Sequence, residues 1–143
     1  MSCSYTNPWH YDGKVFDSDS IQDFFGFVYH IECTETSRCY IGRKYFWSFR
    51  KPKGKSRKVR TESDWKKYYG SCPELKEDVK KYGKDKFRRY ILSLHKTPGK
   101  TNYEETRQLF VNNVLTESLD DGTPKYYNSN VLGRYYRKDY FYE

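Results

Sequence analysis

No apolar run in this chain approaches the ~18 residues that cross a bilayer. The first residues also lack the charged and apolar regions of a secretory signal. The expectation is a soluble, intracellular protein. Cysteine is sparse. Cys3, Cys33, Cys39 and Cys72 form no C-x-x-C pair, and no histidine stands at zinc-finger spacing from them. That argues against a cysteine zinc site. In a reducing compartment Cys33 and Cys39, which flank a predicted turn, are expected as free thiols. Histidine is limited to His10, His30 and His95, so a histidine mechanism is a poor candidate. Aliphatic residues are few as well. Hydrophobic residues make up 36% of the chain and aromatics 20%, so the core must be built mainly from Tyr, Phe and Trp.

What is present is charge and phenol. The 143 residues suit one domain. Lys and Arg number 27 against 19 Asp and Glu, a formal charge of +8. A small basic domain rich in aromatics is a candidate for nucleic-acid binding. Buried tyrosines need partners for their hydroxyls, so many of the sixteen should lie at the core's rim or on a binding face.

Gly26-Phe27-Val28-Tyr29 reads as a strand, and Cys39 to Tyr45 as another. Thr34 to Arg38 between them is polar and turn-like. An even-numbered hairpin loop places Tyr29 and Tyr40 on one sheet face; an odd loop separates them. Residues 1–22 read as an irregular arm, with Trp9, Tyr11, Val15 and Phe16 available to pin it to the core. Residues 50–60 carry seven Lys or Arg and no acid. Pro52 and Gly54 argue against a helix there, so the run reads as an exposed basic loop. A short helix is expected over 61–67 and a second over 74–82, with Ser71 as cap, Pro73 in the first turn and Gly83 as stop. Phe87 to Leu94 reads as a third strand. A last helix is expected from a Thr101-x-x-Glu104 capping box to about Leu115, with Tyr103, Phe110 and Val114 on its apolar stripe. The order is β-β-α-α-β-α.

The two tyrosines lie eleven positions apart, Tyr29 closing the first strand motif and Tyr40 opening Tyr40-Ile41-Gly42. Arg50 lies eight positions after Gly42, Glu105 falls in the last helix and Asn128 near the C-terminus. This pattern resembles the GIY-YIG nuclease family. The resemblance spans Phe25 to about Asn130 and looks closest to small, free-standing phage-encoded (homing-type) enzymes. Tyr40 to Trp47, Asp64-Trp65 and Tyr69-Gly70-Ser71 suggest that branch. It implies an α+β fold with a three-stranded antiparallel sheet flanked by helices. It further implies residues 1–22 as an extension packed on the core, 23–130 as the catalytic domain with the basic loop 50–60, and 131–143 as an aromatic, basic tail.

The function so implied is a metal-dependent DNA endonuclease in the cytoplasm, host cytoplasm if phage-encoded. Tyr29, Tyr40, Arg50, Glu105 and Asn128 would be catalytic. One of the two tyrosines, Tyr29 in preference to Tyr40, would act as general base, Arg50 as phosphate clamp and Glu105 as ligand to Mg²⁺ or Mn²⁺. Glu104 competes with Glu105, but the capping box assigns Glu104 to the backbone. Arg43, Lys44, Lys51, Lys53, Lys55, Arg57, Lys58 and Arg60 would bind nucleic acid. DNA is the expected partner, with a homodimer on DNA as one route to target selection and no membrane association. The rival readings are an inactive nucleic-acid-binding module of the same fold and a nuclease directed at branched DNA or RNA.

Overall fold

The structure, a computed structural model, describes residues 5–51, 53–54 and 56–142. Cys3 and Lys55 lie outside the described residues. The arm contributes two short strands, β1 (His10–Tyr11) and β2 (Lys14–Val15). Then come β3 (Gly26–Cys33), β4 (Cys39–Tyr45), β5 (Trp47–Arg50), β6 (Val59–Glu62), α1 (Pro73–Tyr82), β7 (Phe87–His95) and α2 (Pro98–Val111). The chain closes with β8 (Asn130–Val131), β9 (Tyr135–Tyr136) and a one-turn helix, α3 (Arg137–Tyr140).

The class is α+β, but among the described residues the main sheet has five strands, in the order β2-β1-β7-β3-β4. The three long strands are antiparallel to one another, and β1 adds in parallel to β7. The expected three-stranded sheet gains two strands because the arm finds an unpaired edge on β7. The expected helix over 61–67 is instead the end of β6 followed by a 3₁₀ turn, Trp65–Lys67. Residues 50–60 are not a simple loop: β5 and β6 pair as a separate two-stranded ribbon. Gly54 falls in the turn between the two strands, outside the ladder; Pro52 lies outside the described residues.

Side-chain alternation sorts β3 and β4 between two packed faces. Phe27, Tyr29 and Ile31 point to a core shared with Trp9, Phe16, Phe46, Trp65 and Leu75. Val28 and Ile41 point the other way, to Leu109, Val114, Tyr126 and Val131. The first core is aromatic, as the shortage of aliphatics requires. Phe27 meets Trp9 at 5.1 Å and Phe46 at 4.8 Å, and Phe46 meets Trp65 edge-on at 5.2 Å. Such pairs add about 0.5–1.5 kcal/mol each beyond the area they bury. Trp9 and Phe16 do pin the arm, whereas Tyr11 and Val15 stay exposed.

Arg89 is 1% exposed in this core. It donates to the carbonyls of Asn7 and Tyr68 and lies over the rings of Trp9 and Tyr69. These contacts offset the cost of burying its charge.

Helix α2 starts earlier than the capping box predicts. Thr97 is its N-cap, accepting from Lys100 N–H at 3.1 Å, and Pro98 occupies the first turn, where its missing N–H is harmless. Thr101 is therefore an interior residue, and it is fully buried. The buried face runs Thr101, Glu105, Leu109, at the i, i+4 spacing of one stripe. The predicted stripe faces solvent instead: Tyr103 and Phe110 are exposed, and Val114 is buried beyond the helix end. A Cβ on Gly26 would lie 2.9 Å from Thr101 Oγ1 and 2.9 Å from Tyr45 Cδ1. The helix thus rests directly on the strand's backbone, one turn before Glu105. Gly26→Ala should overpack this contact and destabilise the fold by about 1–3 kcal/mol. Urea unfolding would show this as a lower midpoint at unchanged slope.

Candidate active site

The hairpin loop between β3 and β4 is even-numbered: Cys33 N–H donates to Arg38 O, and Glu32 stands opposite Cys39. Tyr29 then lies opposite Gly42 and Ile31 opposite Tyr40. Both phenols share one face, with ring centroids 6.1 Å apart. Gly42 is what lets them fit. A Cβ there would stand 2.5 Å from Tyr29 Oη and 2.9 Å from Tyr40 Cε2. On the other side of β3 a register shift at Val28/Tyr29 against β7 marks a bulge, a local kink beside the same phenol.

Strand β4 is the sheet's outer edge, and the chain around residue 126 covers part of it. Cys39 N–H donates to Lys125 O, and Tyr127 N–H donates to Cys39 O. Asn128 continues the pairing with its side chain. Its Oδ1 accepts from Ile41 N–H at 3.2 Å, and its Nδ2 donates to Ile41 O at 2.8 Å. Asn128 is buried, and it fixes the backbone between Tyr40 and Gly42. Past this point a cleft of about 410 Å³ opens along the edge. Tyr40, Arg43, Ser71, Glu105 and Asn128 line it.

Tyr40 and Glu105 reach the cleft from opposite sides of the sheet, because the cleft wraps around an edge strand. Arg43, opposite Val28, shares the α2 side and pairs with Glu105 (Nε–Oε1, 3.4 Å). Burial raises the Glu105 carboxyl above its usual range, and Arg43 pulls it back. Glu104 does not compete. Arg107 grips it bidentately at 2.8 and 2.6 Å and Gln108 at 2.8 Å, so its role is a surface ion pair and not the predicted cap.

The two tyrosines differ in access. Tyr29 is completely buried, and its Oη has no hydrogen-bond partner among the described residues. Burial holds it well above the ordinary phenol value, and the neighbouring phenols Tyr40 and Tyr68 and the Glu105 carboxylate add to this. Tyr40 lines the cleft and is pushed up to about 12, chiefly by burial, with the Ser71 hydroxyl working against it.

Arg50 ends strand β5. It lines a neighbouring cleft with Lys44, Asp64 and Lys67. Lys51, Lys53, Arg57, Lys58 and Arg60 are exposed, and none of them lines the cleft with Glu105. Lys44 bridges Asp64 at 2.7 Å and sits 4.1 Å from the ring centroid of Tyr68. Tyr68 was not legible from the sequence as part of this site. It meets Tyr29 edge-on at 6.0 Å, in a segment without periodicity that Arg89 pins through the Tyr68 carbonyl. Cys33, Cys39 and Cys72 are free, and burial raises the Cys39 thiol to about 11.

If Arg43 is what restrains the Glu105 carboxyl, Arg43→Gln should move its titration midpoint upward. Carbon NMR of the Glu105 side chain in the free protein would read this, and an unchanged or lower midpoint would rule the coupling out.

No curated protein and no solved structure matches the chain. A family model described as "Putative endonuclease segE, GIY-YIG domain" matches residues 9–131. That span begins at the buried Trp9, ends in β8 and contains every cleft residue named above. The family's domain is that of a nuclease, a phosphodiester hydrolase. With most of its length matched and the two phenols, Glu105 and Asn128 gathered at one sheet edge, this chain belongs to the GIY-YIG nuclease family, in its segE branch.

Proposed function

We propose that this chain is a DNA endonuclease that hydrolyses phosphodiester bonds with a divalent metal held at Glu105. The observation that carries the reading is the edge cleft, where a half-buried carboxylate faces a guanidinium and a phenol. Among the described residues Glu105 is the only acid lining that cleft, and no cluster of three or more metal-binding side chains occurs. Such a donor set fits Mg²⁺ or Mn²⁺, which accept one carboxylate together with waters and substrate phosphate. Zinc would need histidine or cysteine ligands. The metal, when bound, supplies Lewis-acid stabilisation of charge on the phosphoryl group.

The chain's own residues divide the remaining work. In hydrolysis a water oxygen forms a bond to phosphorus, the bond from phosphorus to one sugar oxygen breaks, and the proton the water gives up is balanced by the one the leaving sugar oxygen takes. Charge builds on the phosphoryl oxygens, and Arg43 in the cleft can meet it with paired donors. Arg50, in the next cleft with Lys44, holds a flanking phosphate. Tyr40 is the phenol that touches the reacting water or phosphate. Tyr29, first read as the base, supports Tyr40 from beneath, since its own hydroxyl is enclosed. Asn128 keeps the strand carrying Tyr40 in place.

A phenol held near 12 is protonated at neutral pH. It can donate to a phosphate oxygen directly. It accepts a proton from water only in the fraction that is ionised, which a nearby cation enlarges. The rate should therefore rise with pH through the neutral range and beyond, and Tyr40→Phe should lower kcat about 10²–10⁴-fold and flatten that rise.

Supercoiled plasmid incubated with Mg²⁺ tests the reading. The wild type should yield nicked or linear DNA, and Glu105→Ala should yield none. Binding without conversion across DNA and RNA substrates, with Mn²⁺ also tried, would make the chain an inactive binding module. Arg43→Ala should lower kcat, whereas Arg50→Ala should raise KM with a smaller effect on kcat.

A further inference from the structure

The cleft leaves the strongest charge feature of the chain unused. Residues 50–60 carry seven positive charges and no negative one; Arg50 and Arg60 lie on the paired strands of the β5–β6 ribbon, and the other five fall in the sequence that joins those strands. We propose that this ribbon enters the major groove of duplex DNA and reads base edges, and so selects where the chain cuts; the proposal rests on the nuclease reading above.

Shape supports a groove. Two paired strands lie about 4.8 Å apart, and the major groove of B-form DNA, about 12 Å wide, admits a two-stranded ribbon. The ribbon forms its own sheet, apart from the five-stranded one. Its outer residues are exposed on both faces from Phe49 on β5 and throughout β6.

Side-chain chemistry supports base reading over simple phosphate binding. Register puts Trp47, Phe49 and Arg60 on one face, and Ser48, Arg50, Val59 and Thr61 on the other. Phe49 is 50% exposed and Val59 42%. Phe49 also packs at the ribbon's base, but a purely electrostatic arm has no use for an exposed apolar side chain such as Val59 among its lysines. A base-reading ribbon does, because the thymine methyl group lies in the major groove, and arginine matches the guanine edge there.

The base of the ribbon is held in place. Phe49 stacks on Phe25 at 6.2 Å, Arg60 lies 3.8 Å over Trp47, and Ser48 and Thr61 share a hydrogen bond of 3.1 Å. Only Phe46, which is fully buried, separates β5 from β4 and its active-site edge. The ribbon and the cleft therefore keep a set separation, so bases read by one define the bond presented to the other.

The test uses the full chain carrying Glu105→Gln, which blocks cutting. Duplexes recovered by this chain from a random pool would be footprinted with dimethyl sulfate, which attacks guanine N7 in the major groove. N7 protection is expected. In a chain with intact Glu105, Arg57→Lys with Arg60→Lys keeps the charge but loses the bidentate fork. This variant should bind bulk DNA within about twofold of the parent and relax its positional preference about tenfold. Fully reactive N7 under bound protein would overturn the proposal. So would unchanged cut positions in both this variant and one with 51–58 replaced by an Asn-Gly turn. Wild-type plasmid cutting, run in parallel, keeps the two readings apart. Protection without cutting sinks the nuclease reading alone, and cutting without protection sinks the ribbon reading alone.

Discussion

Everything at the site depends on one register, that of β3 against β4. With Tyr29 opposite Gly42, the missing Cβ becomes the space that a phenol fills. A slip of one residue would send Tyr40 to the opposite face and bring a side chain against the buried hydroxyl. The register is held from three directions. The even loop sets it at one end, the packing of Phe27, Tyr29 and Ile31 holds it along one face, and Asn128 locks Ile41 from the open edge.

The same arrangement explains why the site has unusual electrostatics. A small chain with few aliphatics must build its core from aromatics, and here that core extends to the reacting edge. Tyr29 and Tyr40 are then desolvated by the packing that stabilises the fold, and both are held in their protonated forms. Glu105 suffers the same desolvation from α2's close seat on Gly26, relieved in part by Arg43. A carboxylate in that state gains from a cation, which is the physical ground for proposing a divalent metal at Glu105.

Much of this was legible in the chain before any coordinates. The strand signals at 26–29 and 39–45, the Pro73 start and Gly83 stop of α1, and the strand at 87–94 are local signals, and local signals survive tertiary packing. Others were overridden. Thr101 looked like a cap because Thr-x-x-Glu is a good local motif, yet Thr97 before Pro98 is a better one, and Gly26 offered the Thr101 side chain a place to be buried. Glu104 reads as a cap in the Thr-x-x-Glu motif, yet its carboxylate is taken up by Arg107 and Gln108 instead. The arm read as irregular because two-residue strands have no periodicity, and only the open edge of β7 gives them form.

By itself, then, the sequence determined the hairpin, the basic run and the aromatic core. Each follows from composition or from the fixed period of a strand. The even loop that puts both phenols on one face came from the strand register. Tertiary structure alone decided access. It enclosed Tyr29 and left Tyr40 open, placed Arg43 and not Arg50 at Glu105, brought Tyr68 beneath Lys44, and raised the basic run on a ribbon. Those outcomes depend on which elements cover which edge, and that is set by contacts between residues far apart in the chain, which no local pattern encodes.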